Sequence, residues 1–166
     1  MKSIEERFLT KINKETPTGC WLWTGAPAPD GYGHLHIGDK NTPAHRVSYQ
    51  LLVGPIPAGM QIDHICHNHA CVNPKHLRLA TPAENMRNSK TPKNNTSGFK
   101  GVSWNARRKK WRAGIKADSK SINLGDFSTP EAAHAAYCEA ADRLHGEFSN
   151  HGTTPATIFQ PIAAAS

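Results

Sequence analysis

The run IDHICHNHACVNPKHLRLATPAENMRN, Ile62 to Asn88, constrains this chain more than any other feature. Met60–Ile65 and His76–Leu79 read as two strands of a hairpin closed by a polar loop. Thr81 then offers an N-cap, Pro82 fits the first helical position, and Glu84 is acidic in the first turn, so a helix is expected to run to about Asn88. The layout is strand, loop, strand, helix. It sets an acidic residue beside a histidine on one strand and brings another histidine and an asparagine close behind.

The flanking sequence divides the chain. At 166 residues there is room for one ordinary domain or two small ones. Small domains bury little surface and often rely on a metal or a partner. The segment SKTPKNNTSG, Ser89–Gly98, is polar and turn-forming, which makes it the best boundary. The expected organisation is a first domain over 1–90, a linker over 91–98, a second domain over 99–150 and a flexible tail over 151–166. Upstream, Ile4, Phe8 and Ile12 share one face of a short helix. Cys20–Trp23 and Tyr32–Ile37 read as strands. Ala44–Val53 reads as a helix with Val47, Leu51 and Tyr49 inward, stopped by Gly54-Pro55. Downstream, three strand-like runs, Phe99–Trp104, Trp111–Lys116 and Ser121–Phe127, precede a helix opened by Ser128-Thr129-Pro130-Glu131 and stopped at Gly146. Its apolar face is read as Ala132, Ala133, Ala136, Tyr137, Ala140 and Leu144.

A formal charge of +7 favours a polyanionic partner. No apolar run is long enough to cross a bilayer, and the N-terminus lacks the apolar stretch of a secretory signal. A cytoplasmic setting is therefore expected, with Cys20, Cys66, Cys71 and Cys138 reduced. Cys138 reads as a small core residue of the last helix.

The strand–loop–strand–helix run resembles the HNH nuclease motif, the ββα-metal finger. The likeness is closest to phage-borne homing-type enzymes, through Cys20-Trp21-Leu22-Trp23, Gly31-Tyr32-Gly33 and Ala44-His45-Arg46 upstream. The resemblance implies that His64 is the general base, that Asp63 and Asn85 hold one hard cation, magnesium or manganese, and that His76 orients His64 or the loop. The residue types suit that chemistry. A neutral imidazole can take a proton from water, and oxygen ligands favour hard ions. Asn73 before Pro74 reads as a turn former, and Arg46 and Arg87 as possible phosphate contacts. Cys66 and Cys71, with His67 and His69 between them, raise a structural zinc site that Cys20 or His45 would complete. The cysteine count is short and the spacing unusual for such a site, and the alternative is a tight loop packed around thiols.

The segment from Gly98 to Asn150 resembles the apetala-two/ethylene-response-factor domain, through Gly98-Phe99-Lys100-Gly101-Val102, Trp111-Arg112-Ala113, Leu124-Gly125-Asp126-Phe127 and the Ala-rich helix ending in His145-Gly146. That implies a three-stranded antiparallel sheet on one helix, with Lys100, Ser103, Asn105, Arg112, Lys116, Ser121 and Asn123 facing DNA. Arg107 and Arg108 sit in the hairpin turn beside them. The expected fold class is α+β, a ββα-metal nuclease domain followed by this sheet-and-helix domain. The expected activity is site-directed cleavage of double-stranded DNA by a monomer of the free-standing homing type. The competing reading is a DNA-binding regulator on an inactive nuclease scaffold.

Overall fold

The computed structural model describes residues 2–91 and 94–152. The chain forms two compact units, Met1–Asn85 and Met86–Ser166.

In the first unit, α1 (Ile4–Leu9) opens on a capping box: the Ser3 hydroxyl accepts from the Glu6 amide and the Glu6 carboxylate accepts from the Ser3 amide. Only Phe8 of its expected face is fully buried, while Ile4 is exposed and Ile12 belongs to β1 (Ile12–Asn13). β1 pairs antiparallel with β2 (Leu22–Trp23). β3 (His34–Ile37) and β4 (Lys40–Pro43) make a hairpin, and α2 (Ala44–Leu52) follows at once. Phe8, Trp23, Leu35, Ala44, Val47 and Val72 form the main core. Gly33 has to lack a side chain there, because a Cβ would collide with the Trp23 ring. On α2, Val47 and Tyr49 point inward as expected. Leu51 does not; Ser48 is buried in its stead, donating to the Val72 carbonyl, because the helix packs on the chain around Val72.

The hairpin read from sequence is present as β5 (Gln61–His64) and β6 (Leu77–Ala80), with register Ile62↔Leu79, Asp63↔Arg78 and His64↔Leu77. A 3-10 turn, Pro74–His76, feeds β6. Asn73 caps that turn, accepting from the Lys75 amide, and its Nδ2 donates to the Gly19 carbonyl at 2.7 Å. α3 (Pro82–Arg87) starts where expected. The Glu84 carboxylate accepts from the Thr81 amide, and the Thr81 hydroxyl accepts from the Glu84 amide. Strand, strand and helix thus give the ββα arrangement.

In the second unit, β7 (Val102–Asn105), β8 (Lys110–Ala117) and β9 (Lys120–Phe127) form an antiparallel sheet in the order β7-β8-β9. α4 (Pro130–His145) packs on it, its N-terminus capped by Thr129 and its end turned by Gly146 at φ 54. Ala133, Tyr137, Ala140 and Ala141 fill the interface, with Val102, Ala113 and Ile115 from the sheet. The helix face is rotated from the one read in the sequence. Ala132 and Leu144 are exposed, and His145 is buried with its Nε2 donating to the Lys116 carbonyl at 3.0 Å. Ser89 and Thr91 fall within the span of this unit. The expected tail lies almost wholly outside the described residues. Among the described residues, no helix is long and apolar enough to cross a membrane.

Candidate active site and metal cluster

β5 carries Asp63 and His64, and both are buried. Adjacent strand residues face opposite sides, so the two side chains lie on opposite faces of the ribbon. His64 Nε2 is 2.9 Å from the Cys71 carbonyl oxygen. A carbonyl only accepts, so Nε2 carries the proton and Nδ1 is the basic nitrogen of the neutral ring. Burial lowers the His64 pKa, which keeps the imidazole neutral at pH 7. His45 stands edge-on to it with centroids 4.9 Å apart. Tyr32 lies 5.0 Å from His45 and stacks on His69 at 4.3 Å. His45 Nδ1 is buried without a hydrogen-bond partner, and burial, with His64 and Arg46 next in weight, takes its pKa down to about 3.

On the other face, Asp63 Oδ2 accepts from Arg78 Nε at 2.9 Å, a nearly buried ion pair between register partners. Asn85 on α3 donates through Nδ2 to Gln61 Oε1 at 2.6 Å. That bond turns the amide so that its oxygen points away from Gln61. Gln61 and Asp63 are alternate residues of β5 and share a face, so α3 presents Asn85 on the Asp63 side of the ribbon.

The loop between the strands holds a second constellation. Cys20, Cys66, Cys71 and His76 each offer one ligand atom, all within 4.8 Å of one another. His76 Nδ1 is 3.5 Å from Cys20 Sγ and 3.6 Å from Cys71 Sγ. Three buried thiols and a half-buried imidazole are the donor set of a four-coordinate structural ion, so the residues fit a bound divalent metal. A hydrogen bond from Cys66 pulls Cys71 down to about 5, with the Asn73 amide and His76 helping, and the same bond pushes Cys66 up. From the sequence, this site is one ligand short, to be completed by Cys20 or His45, and His76 is expected to orient His64 or the loop. The structure draws His76 into the cluster together with Cys20, while His45 packs on His64. The signal available was spacing: Cys66, Cys71 and His76 recur at intervals of five.

The family model for HNH endonuclease matches residues 42–87, which hold β5, β6, α3 and three of the four cluster ligands. Protein 3.8 of Escherichia phage T7 is 44% identical over 105 residues, covering 63% of this chain and 86% of that protein. This chain belongs to the HNH endonuclease family. The HNH endonuclease carries a second family match, to the AP2 domain, over residues 97–147. Protein 2.8 of the same phage is 34% identical over 99 residues, 58% of this chain and 67% of that protein. An uncharacterized HNH endonuclease, L560, of Acanthamoeba polyphaga mimivirus is 33% identical over 106 residues, 63% of this chain and 54% of that protein. No solved structure gives a significant match.

The AP2-type sheet has one face against α4 and one outward. Ala113, Ile115 and Ala117 are buried, so Arg112, Gly114 and Lys116 face out. Register then places Ser103 beside Arg112, Asn123 beside Gly114, and Ser121 beside Lys116, all outward. Asn105 is outward too, opposite Lys110, and its Oδ1 accepts from the Arg108 amide. Arg107 and Arg108 occupy the exposed β7–β8 turn. Lys100 alone of the expected DNA-facing set is turned away. Its Nζ donates to the carbonyls of Arg87 and Ser89, and burial takes its pKa down to about 8.

Proposed function

We propose that this HNH endonuclease cuts double-stranded DNA at a recognised site, with His64 as general base and one magnesium or manganese ion held by Asp63 and Asn85. The observation that carries the reading is the Cys71 carbonyl on His64 Nε2. It selects the tautomer whose Nδ1 can take a proton from water, and burial keeps that nitrogen unprotonated at neutral pH. When bound, the hard cation supplies charge stabilisation to the leaving oxygen and the crowded phosphate. Carboxylate and amide oxygens are the donors such an ion prefers. Arg78 holds the Asp63 carboxylate in place on the strand.

Zinc is the ion best matched to three thiols and one imidazole, and its part is structural. The cluster ligand Cys71 also supplies the carbonyl that holds His64, so a filled cluster stiffens the base. The outward sheet residues Ser103, Asn105, Arg112, Lys116, Ser121 and Asn123, with Arg107 and Arg108 in the turn, engage the duplex. We place the enzyme in the host cytoplasm as a free-standing homing-type monomer cutting one strand at a time. The test is nicking of supercoiled DNA with magnesium. Wild type nicks and His64→Ala does not, although it still binds. Equal cutting by both proteins removes His64 from the mechanism, and binding without any cutting by wild type favours an inactive scaffold.

A further inference from the structure

The outward face of the sheet carries one acidic side chain that a phosphate-binding surface would not select. Asp126 is the register partner of Arg112 on β9. It reaches the outward face through a β-bulge. Ala113 pairs with Gly125 and Gly114 pairs with Asn123, so Leu124 is an extra residue on β9. Leu124 packs in the core and Gly125 adopts φ +127. Without the extra residue, Asp126 would share a side with Leu124. The bulge re-aims it outward.

There Asp126 binds two arginines. Arg112 Nε donates to Oδ1 at 3.0 Å and Nη2 approaches Oδ2 at 3.4 Å. Arg108 Nη1 donates to the same Oδ2 at 2.8 Å. The Asp126 side chain is only 8% exposed, whereas Arg112 is 39% exposed. Arg112 hydrogen bonding, with Arg108 adding to it, holds the carboxyl below the ordinary carboxylate range. The Arg112 contact is side-on, through Nε and one Nη2 hydrogen. That leaves the end-on edge of the guanidinium, Nη1 and the second Nη2 hydrogen, pointing onward from the carboxylate. Two parallel donors on a rigid fork match the O6 and N7 acceptors of guanine in the major groove. An unsupported arginine finds phosphate as readily as a base. One braced by a carboxylate that repels phosphate is biased toward the base.

We propose that Asp126 is a specificity-determining residue: it braces Arg112 to read one guanine of the target, with Arg108 closing the other side of the carboxylate. The inference rests on the reading of this sheet as the DNA-binding face. Asp126 acts through Arg112 and is a positioning residue.

The experiment is selection of bound duplexes from a randomised pool by the full-length protein, followed by competition between duplexes differing at one base pair. Wild type prefers guanine at one position by about tenfold or more, the discrimination of one good bidentate contact. Asp126→Asn and Arg112→Lys each bring that preference to near parity among the four bases. Lys116→Ala weakens binding to all sequences alike and keeps the guanine preference. Arg112→Lys is on the exposed face and keeps its charge, so it decides the matter if Asp126→Asn fails to fold. A guanine preference that survives Arg112→Lys overturns the proposal while DNA binding by the sheet stands. A wild type that binds no duplex overturns both.

Discussion

His64 Nε2 sits 2.9 Å from the carbonyl oxygen of Cys71, whose thiol belongs to the Cys20–Cys66–Cys71–His76 cluster. A single residue therefore joins the metal cluster to the ring proposed as the base. Emptying the cluster is expected to cost stability and cutting together. Purified protein should hold one equivalent of zinc by elemental analysis. Cys20→Ser should lose it and lower stability by about 3 kcal/mol or more, as loss of a structural metal does. Full stability and full activity in a protein stripped of zinc would separate cluster from base.

The Asp63–Arg78 pair is close to buried on both sides, with side-chain exposures of 5% and 15%. Removing Arg78 takes from the buried Asp63 carboxylate its partner in this ion pair, at a cost of about 3–5 kcal/mol. Arg78→Ala should shift the urea midpoint by a matching amount. A change under about 1 kcal/mol would mean that water reaches Asp63 freely.

His45 gives the stability a pH signature. Its folded value of about 3 lies well below the ordinary histidine value, through burial and then the neighbouring His64, Arg46, His34 and His69. Above about pH 6.5 the ring is neutral in both folded and unfolded chains and contributes no slope. Below that, the unfolded chain takes up the proton first, so stability falls as pH drops from 6.5 toward 3. The slope from this ring is at most about 1.4 kcal/mol per pH unit. His64 and His145, also lowered by burial, add in the same direction. Urea titrations at pH 6.5, 5.5 and 4.5 should show a shallower decline in His45→Gln than in wild type. Parallel declines would show that His45 is not the group responsible.

On the second unit, Lys116 is exposed on the outward face beside Ser121. If it neutralises a phosphate, Lys116→Ala should reduce the log–log salt dependence of DNA binding by about 0.9. An unchanged slope would remove it from the phosphate contacts.

Much of this was legible beforehand because local signals carry it. The ββα run announces itself through the Thr81–Glu84 capping box and the apolar register of Ile62, Leu77 and Leu79. The second sheet announces itself through the alternation of Ala113 and Ile115 with Arg112 and Lys116. What escaped depended on distant pairing. Cys20 joins Cys66, Cys71 and His76 only after the chain has folded back, so the cluster could not be counted from spacing near Cys66 alone. The rotation of α4, which buries His145 and exposes Leu144, follows from the Lys116 carbonyl waiting on the sheet. The bulge at Leu124 flips Asp126 to the outward face, and strict alternation along β9 gives no hint of it. Lys100 looks like one more cation beside DNA until its ammonium is seen bound to the Arg87 and Ser89 carbonyls.

The most direct measurement is a crystal of the protein with DNA and manganese, read by anomalous scattering at the manganese edge. A peak within coordination distance of both Asp63 and Asn85 oxygens, with His64 Nδ1 facing the phosphate beside it, is the result expected. A manganese ion elsewhere, with the Asp63–Arg78 and Asn85–Gln61 contacts intact, would contradict the proposed catalytic centre.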